Sequence, residues 1–159
     1  MKIKVYLDTS VISYLDQQDA PEKMQETREI WEILKTGDEY EIYISDLVIS
    51  ELNKCKDGKK KLLFSRLQEI KYNLIKIDEE IISLAEKFIS SGVLTAKSFE
   101  DCQHIAAAIR ANCDAIVSWN FRHIVNVKTI RGMKVITTLE GYKEILIYPP
   151  SILLNNYEL

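Results

Sequence analysis

Short apolar runs of strand length, separated by longer segments with helical spacing, are the feature that most constrains how this chain can fold. In the segments 22–35, 79–91 and 101–111, apolar side chains recur every three or four residues, which predicts helices. Only five Gly and three Pro interrupt the 159 residues, and no linker or repeat is visible. The apolar runs predict strands at Ile3–Leu7, Glu41–Ile44, Asn73–Ile77, Ala115–Val117 and Lys134–Ile136.

Alternating strands and helices predict an α/β fold with three layers, α/β/α, around a central, mainly parallel, twisted sheet. The length is that of one domain, which we expect to span residues 1–159. Right-handed crossovers place the carboxyl ends of parallel strands along one edge of the sheet. Open α/β folds bind their ligands at that edge, so polar side chains there are the first candidates for a functional site.

Composition and net charge limit the classes of function that the chain can have. A net charge of −3 argues against a protein that coats nucleic acid through bulk charge. Three cysteines without a C-x-x-C pair are typical of a reducing compartment, and no apolar stretch reaches the ~20 residues of a membrane span. We therefore expect a cytoplasmic protein without a membrane partner. One lysine cluster has two explanations, a local basic patch or a solvated helix face. It consists of Lys54, Lys56, Lys59, Lys60 and Lys61.

Four oxygen-bearing side chains fall at or near the predicted strand ends. Asp8 directly follows the first strand, Glu51 and Asp101 lie on predicted helices, and Asn120 follows the strand Ala115–Val117. Each acid alone has a structural explanation, such as a helix cap for Asp8. Together they match the oxygen ligands that Mg²⁺ and Mn²⁺ prefer, so the joint pattern predicts a site for a hard cation.

Other chemistries find less support in the sequence. His104 and His123 have no partner at zinc-ligand spacing, so we expect surface or hydrogen-bonded histidines. No phosphate-binding glycine loop and no serine-hydrolase motif occurs. A haloacid-dehalogenase-like phosphatase would need a second Asp where Ser10 stands, and a receiver domain would need an acidic pair that is missing.

Four segments share their pattern with a known family: Val5–Ile12, Ser45–Leu52, Asp101–Ala108 and Ile116–Phe121. With them, the chain resembles the PIN-domain ribonucleases, which include the VapC-like toxins of bacterial toxin–antitoxin pairs. Near the end, Val135-Ile136 with Tyr148-Pro149-Pro150 resembles the family's last strand and its exit. The resemblance covers nearly the whole chain and implies a Mg²⁺- or Mn²⁺-dependent endonuclease that hydrolyses RNA. It also implies an antitoxin protein as a partner.

The same resemblance assigns roles to single residues. The metal-binding acids fall on Asp8, Glu51 and Asp101, and the family's fourth acid falls on Asn120. Ser10 and Ser118 are candidates for hydrogen bonds to ligands or phosphate, although Ser10 could equally be a helix cap. Independently of the resemblance, Arg122 follows Phe121 and is a candidate phosphate contact.

Asn120 departs from the family pattern, because an amide carries no charge. One metal ion can still bind, but a second is less favourable than with four acids. The alternative to an active nuclease is therefore a catalytically weak or inactive PIN-like module that binds RNA or a protein partner.

Several apolar side chains leave two interpretations open. Trp119 and Phe121 flank Asn120 and predict either a stacking platform for RNA bases or core packing. An apolar helix face formed by Ile30, Trp31 and Leu34 predicts either a homodimer (or higher oligomer) contact or the core. The apolar segment 145–154 predicts packing on the domain or on a neighbour.

Overall fold

The structure, a computed structural model, describes residues 1–154. Its five strands form one parallel sheet in the order β3-β2-β1-β4-β5. The central strand, β1, has Val5, Tyr6 and Leu7 fully buried, as expected for a sheet covered on both faces. The strands are β1 Ile3–Leu7, β2 Tyr40–Ser45, β3 Tyr72–Ile75, β4 Ala115–Val117 and β5 Leu146–Tyr148.

Helices cover both faces of this sheet. From β1 to β3 the chain steps in one direction, and it then crosses to β4 and β5 on the other side of β1. Right-handed crossovers therefore put α1–α4 on one face and α5–α7 on the other, which confirms the predicted three-layer α/β/α fold. The helices are α1 Thr9–Ser13, α2 Pro21–Thr36, α3 Asp46–Asn53, α4 Asp57–Leu67, α5 Glu79–Ser90, α6 Phe99–Arg110 and α7 Val127–Glu140. Short 3₁₀ turns lie at Tyr14–Asp16, Ala96–Ser98 and Pro150–Leu154.

The strand order reverses between β1 and β4. Such a reversal opens a crevice at the carboxyl ends of the two strands, because their following segments leave toward opposite faces. Asp8 follows β1 directly, and Ser118, Trp119 and Asn120 follow β4. The topology thus brings two of the predicted motifs to the same crevice.

One predicted strand is wrong. Lys134–Ile136 lies inside the helix α7, where Met133, Ile136 and Thr137 are buried at helical spacing. Three residues are too few to separate a strand from one helical turn. The last strand is instead β5, inside the apolar segment that we predicted to pack on the domain or on a neighbour. Ile147 and Leu153 of that segment are buried in the core, which supports packing on the domain.

Core packing explains the apolar face of α2. Ile30 and Trp31 are fully buried and Leu34 nearly so, and the Trp31 indole donates a 3.1 Å hydrogen bond to the carbonyl of Arg66. These residues are therefore unavailable for a dimer contact. None of the helices within residues 1–154 combines the length and apolar character that crossing a bilayer requires. The predicted domain end at residue 159 lies outside the described residues.

Candidate active site

Asp8 lies at the centre of the crevice and is only 5% exposed. It occupies the N-cap position of α1, as the structural alternative predicted, with its Oδ2 atom 3.4 Å from the backbone N–H of Ser10. The same oxygen accepts hydrogen bonds from the hydroxyls of Ser10 at 2.7 Å and Ser118 at 2.8 Å. The Asp8 side chain therefore caps α1 while the two serine hydroxyls fix the orientation of its carboxylate.

The two serines connect the ends of β1 and β4. The backbone N–H of Trp119 donates to the Ser10 hydroxyl at 2.9 Å, and that of Asn120 donates to the Ser118 hydroxyl at 2.9 Å. Each hydroxyl thus accepts from the β4 loop while it donates to Asp8. This arrangement fixes the Asp8 carboxylate relative to the loop that carries Asn120.

Glu51 reaches the crevice from the second turn of α3. Its Oε1 atom accepts a 2.9 Å hydrogen bond from the Thr9 hydroxyl and a short one from Nε2 of His104. Burial alone would raise the pKa of Glu51, but the bonds from His104 and Thr9 lower it below its ordinary value. The structure therefore keeps Glu51 ionised.

His104 is the main residue that sequence reasoning missed. It is 1% exposed, which rules out a surface histidine and leaves the hydrogen-bonded alternative. Its Nδ1 atom lies 2.7 Å from the Tyr6 hydroxyl, and its Nε2 atom lies 3.6 Å from Oδ1 of Asp8. Burial lowers the pKa of His104, but Glu51 and Asp8 raise it above its ordinary value overall.

A signal for His104 was present in the sequence. It follows Asp101 by three residues on α6, so the two side chains lie on one helix face. The Tyr6 hydroxyl in turn lies 2.7 Å from that of Ser45. Ser45 occupies the N-cap position of α3, but its hydroxyl makes no cap bond and is instead bonded to Tyr6.

Asp101 and Asn120 form the other side of the crevice. The Asn120 amide donates a 3.1 Å hydrogen bond to Oδ1 of Asp101, and its carbonyl oxygen accepts from the backbone N–H of His123 at 2.9 Å. Because that N–H needs an acceptor, the carbonyl must point away from Asp101. Asn120 therefore orients Asp101 and does not present its oxygen to the crevice as a ligand would.

The environment of Asp101 disfavours its charge. Burial, followed by the nearby Asp8 carboxylate, raises the pKa of Asp101 to about 6. A cation in the crevice would relieve this repulsion, since opposite charges favour the ionised form.

The donor set fits a hard cation in its chemistry. In each of Asp8, Glu51 and Asp101, one oxygen is held by protein donors. The other oxygen (Oδ1, Oε2 and Oδ2, respectively) accepts no hydrogen bond from residues 1–154. The described part of the chain holds no closed group of three His, Cys, Asp or Glu side chains at metal-binding distances. Binding of one shared ion would therefore require these carboxylates to change position.

The flanking side chains have mixed environments. Trp119 is 7% exposed and its indole donates to the Thr27 hydroxyl at 2.9 Å, so it packs in the core. Phe121 is 44% exposed beside it, and Arg122 is exposed on the same loop. Of these two aromatic side chains, only Phe121 is thus exposed enough to form a stacking surface for RNA bases.

Comparisons with known proteins agree with this architecture. The family model for the PIN domain matches residues 5–124. Among solved structures, similarity is found to a chain in the crystal structure of VapBC2 from Rickettsia felis bound to a DNA fragment from their promoter. The TM-score is 0.53 at 15% identity, and the match covers 91% of this chain and 97% of that chain, which shows a shared fold. No curated protein matches the chain.

Proposed function

This chain belongs to the PIN domain family, and on that premise we propose that it is a divalent-metal-dependent endoribonuclease that hydrolyses RNA phosphodiester bonds. PIN domains are generally nucleases. The single observation that carries the proposal is the set of three carboxylates, Asp8, Glu51 and Asp101, each with one oxygen held by protein donors and the other without a hydrogen-bond donor within residues 1–154.

The proposed cofactor is Mg²⁺ or Mn²⁺, with Asp8 and Asp101 as ligands and Glu51 holding a water. When bound, such an ion lowers the pKa of water and neutralises charge on a phosphate. The protein's own contribution is preorganisation. Ser10 and Ser118 fix the Asp8 carboxylate.

Two further residues complete the proposed arrangement. His104 keeps Glu51 ionised, so that its carboxylate can accept a proton from an attacking water. Asn120 holds one oxygen of Asp101 by a hydrogen bond and leaves the second oxygen to bind the ion.

We further propose that the chain is the toxin of a toxin–antitoxin pair, acts in the cytoplasm and is neutralised by a small protein partner. Support comes from the fold shared with a chain of the VapBC2 structure. A homodimer or higher oligomer remains a prediction. The most direct test is expression of the chain with and without the product of the adjacent open reading frame. We expect growth arrest that the partner relieves.

A second candidate is a non-catalytic PIN-like module that binds RNA or a protein. The observation in its favour is Asn120, which replaces the fourth acid and turns its carbonyl to the His123 N–H. Such a module would bind RNA without cutting it.

Metal-dependent cleavage separates the two candidates. We would incubate RNA with wild type and Asp8→Ala, each with Mn²⁺, Mg²⁺ or EDTA. Glu100→Gln is the matched control, since Glu100 is an exposed acid adjacent to Asp101 and, within residues 1–154, its side chain forms one ion pair, with Lys54 at 3.9 Å. Cleavage by wild type and the control, lost in Asp8→Ala and in EDTA, supports the enzyme. Equal cleavage by wild type and Asp8→Ala would exclude it.

A further inference from the structure

A small cavity lies beside the acid cluster, between the start of α6 and the loop that follows β4. Its volume of about 140 Å³ is well above the ~10–15 Å³ that one water molecule needs. Polar side chains line it together with the apolar Val93 and Leu94. We call it the Ser98 pocket.

Ser98 has an unusual environment in this pocket. Its side chain is 2% exposed, and its hydroxyl has no hydrogen-bond partner within residues 1–154. It occupies the N-cap position of α6 but makes no cap bond. A buried hydroxyl without a partner is costly, so its presence points to a group that enters the pocket and binds it.

The charge of the pocket is positive. Arg122, His123 and Lys128 line it, and no carboxylate does. Within residues 1–154, none of these three side chains forms an ion pair with an acid. The amino ends of α6 and α7 also begin here, and their dipoles favour an anion.

The loop that presents these basic residues is fixed by hydrogen bonds. The Asn126 amide donates to the carbonyl of Arg122 at 3.0 Å, and the Thr129 hydroxyl donates to that of His123 at 2.8 Å. The acid cluster is near, because the backbone N–H of His123 donates to Asn120, whose amide in turn donates to Asp101. An anion in the pocket would therefore lie next to the crevice that holds the three carboxylates.

We propose that the Ser98 pocket binds a backbone phosphate of RNA, adjacent to the phosphate that is cut. Ser98 donates its hydroxyl to a phosphate oxygen, while Arg122 and Lys128 supply charge and donors. The assignment to RNA rests on the proposed function, whereas the capacity to bind phosphate does not. The pocket would hold the RNA strand in register over the three carboxylates, which repel phosphate when no cation is present.

Inorganic phosphate tests the pocket without any catalysis. The chain has two histidines, so its imidazole NMR signals are easily followed. In metal-free protein, titration with phosphate should move the His123 signal and leave that of buried His104 unchanged. Ser98→Ala should weaken phosphate binding on the order of tenfold, since a hydrogen bond to a charged group is lost. Lys97→Gln is the control, because this exposed lysine precedes Ser98 but does not line the pocket.

Thermal unfolding distinguishes a ligand-binding role of Ser98 from a structural one. Without phosphate, Ser98→Ala should melt at the same temperature as wild type or higher, because it removes an unsatisfied buried group. The stabilisation that wild type gains from phosphate should shrink in the variant. A static His123 signal, or equal phosphate affinity in both proteins, would overturn the proposal and leave a pocket that only holds water.

RNA binding is the second test of the proposal. In EDTA, Arg122→Gln/Lys128→Gln should weaken binding of a single-stranded RNA and flatten its dependence on log salt by ~0.7 per lost contact. Circular dichroism checks the fold of the double variant. If phosphate binds but RNA affinity and its salt dependence are unchanged, the RNA assignment is wrong. If both tests succeed and wild type still cuts no RNA, the proposed enzyme fails while the phosphate site stands.

Discussion

The crevice has two halves that hold their carboxylates in opposite ways. In the Asp8 half, Asp8 and Glu51 together accept hydrogen bonds from three hydroxyls and one imidazole. In the Asp101 half, the Asp101 carboxylate accepts one hydrogen bond from the described residues, that of Asn120. The pKa of Glu51 is lowered by its partners, whereas burial and Asp8 raise the pKa of Asp101 to about 6.

The two halves therefore differ in what they contribute: the Asp8 half fixes the positions of its carboxylates, and the Asp101 half holds a carboxylate whose charge is unfavourable. The Asp8 half places its oxygens before any ligand arrives, so little rearrangement is needed there. The Asp101 half carries the charge that the free protein balances poorly, and a cation would relieve it most. The same residue type therefore stabilises the fold on one side and costs stability on the other, which mutations can test directly.

The largest effect is expected from Asp8→Ala. RNA cleavage should fall to the level seen in EDTA, and the free energy of unfolding should fall by about 2–3 kcal/mol. The physical reason is that the hydroxyls of Ser10 and Ser118 lose their common acceptor. Urea unfolding followed by circular dichroism measures the change, with Glu100→Gln as the exposed control. A variant as stable as wild type would remove the distinction between the halves.

Asp101→Asn should have the opposite effect on stability. Cleavage should again be lost, but the free energy of unfolding at pH 7 should rise by about 1 kcal/mol, because a buried charge next to Asp8 disappears. The amide oxygen can still accept from Asn120. Urea unfolding beside Asp8→Ala tests the prediction, and loss of stability in both variants would contradict it.

The pH dependence of that difference follows from the raised pKa of Asp101. The folded protein binds this proton more tightly than the unfolded chain, so the penalty is absent below the ordinary Asp pKa of ~3.9 and complete above about 6. The stability advantage of Asp101→Asn should therefore close as the pH falls through this window. An advantage of the variant that stays constant from pH 7 to pH 4 would exclude this cause.

His104→Gln should have a smaller effect on catalysis and a pH-dependent one on stability. A raised His104 pKa contributes stability below ~6.5 that is lost as the pH rises through the folded value, and a lowered Glu51 pKa contributes stability above ~4.3. The loss of about 1–2 kcal/mol should thus be greatest near pH 5–6 and smaller at pH 8. Unfolding at three pH values measures it; a loss independent of pH would indicate packing alone.

The fold was largely predictable, because alternation of apolar runs and helical spacing depends only on local sequence. Four strands and the helices that carry Glu51 and Asp101 follow from it. The strand at 134–136 failed since a three-residue run fits one turn of α7 equally well. The true last strand, β5, has an exposed Leu146 and a short pairing with β4, so its own pattern is weak.

The hydrogen bonds of the crevice were less predictable, because they join residues far apart in the chain. Ser118 and Asp8 are 110 positions apart, and His104 and Tyr6 are 98 apart. Sequence spacing could place Asp8, Glu51 and Asp101 at one edge but could not give the partners of each oxygen. The orientation of Asn120 depends on the His123 N–H, which only the folded loop brings within reach.

The smallest effect, and the sharpest test of the comparison, is expected from Asn120→Asp. The new carboxylate keeps the acceptor for His123 but loses the N–H that Asn120 donates to Asp101. Two carboxylates then face each other, so the free protein should lose about 1 kcal/mol of stability at pH 7. The same added charge should tighten Mn²⁺ binding by roughly tenfold, since each acid strengthens the field on the ion.

Calorimetry of Mn²⁺ binding measures whether the added charge of Asn120→Asp tightens metal binding, with Asn120→Ala as the matched control. The alanine variant also loses the link to Asp101 but adds no charge, so it should bind Mn²⁺ no more tightly than wild type. Tighter binding by Asn120→Asp alone would mean that charge in the Asp101 half limits metal affinity. Equal or weaker binding would mean that the orientation of Asp101, which Asn120 provides, matters more than the missing charge. The Asp101 half would then be a positioning device like the Asp8 half, and the contrast between them would rest on the pKa of Asp101 alone.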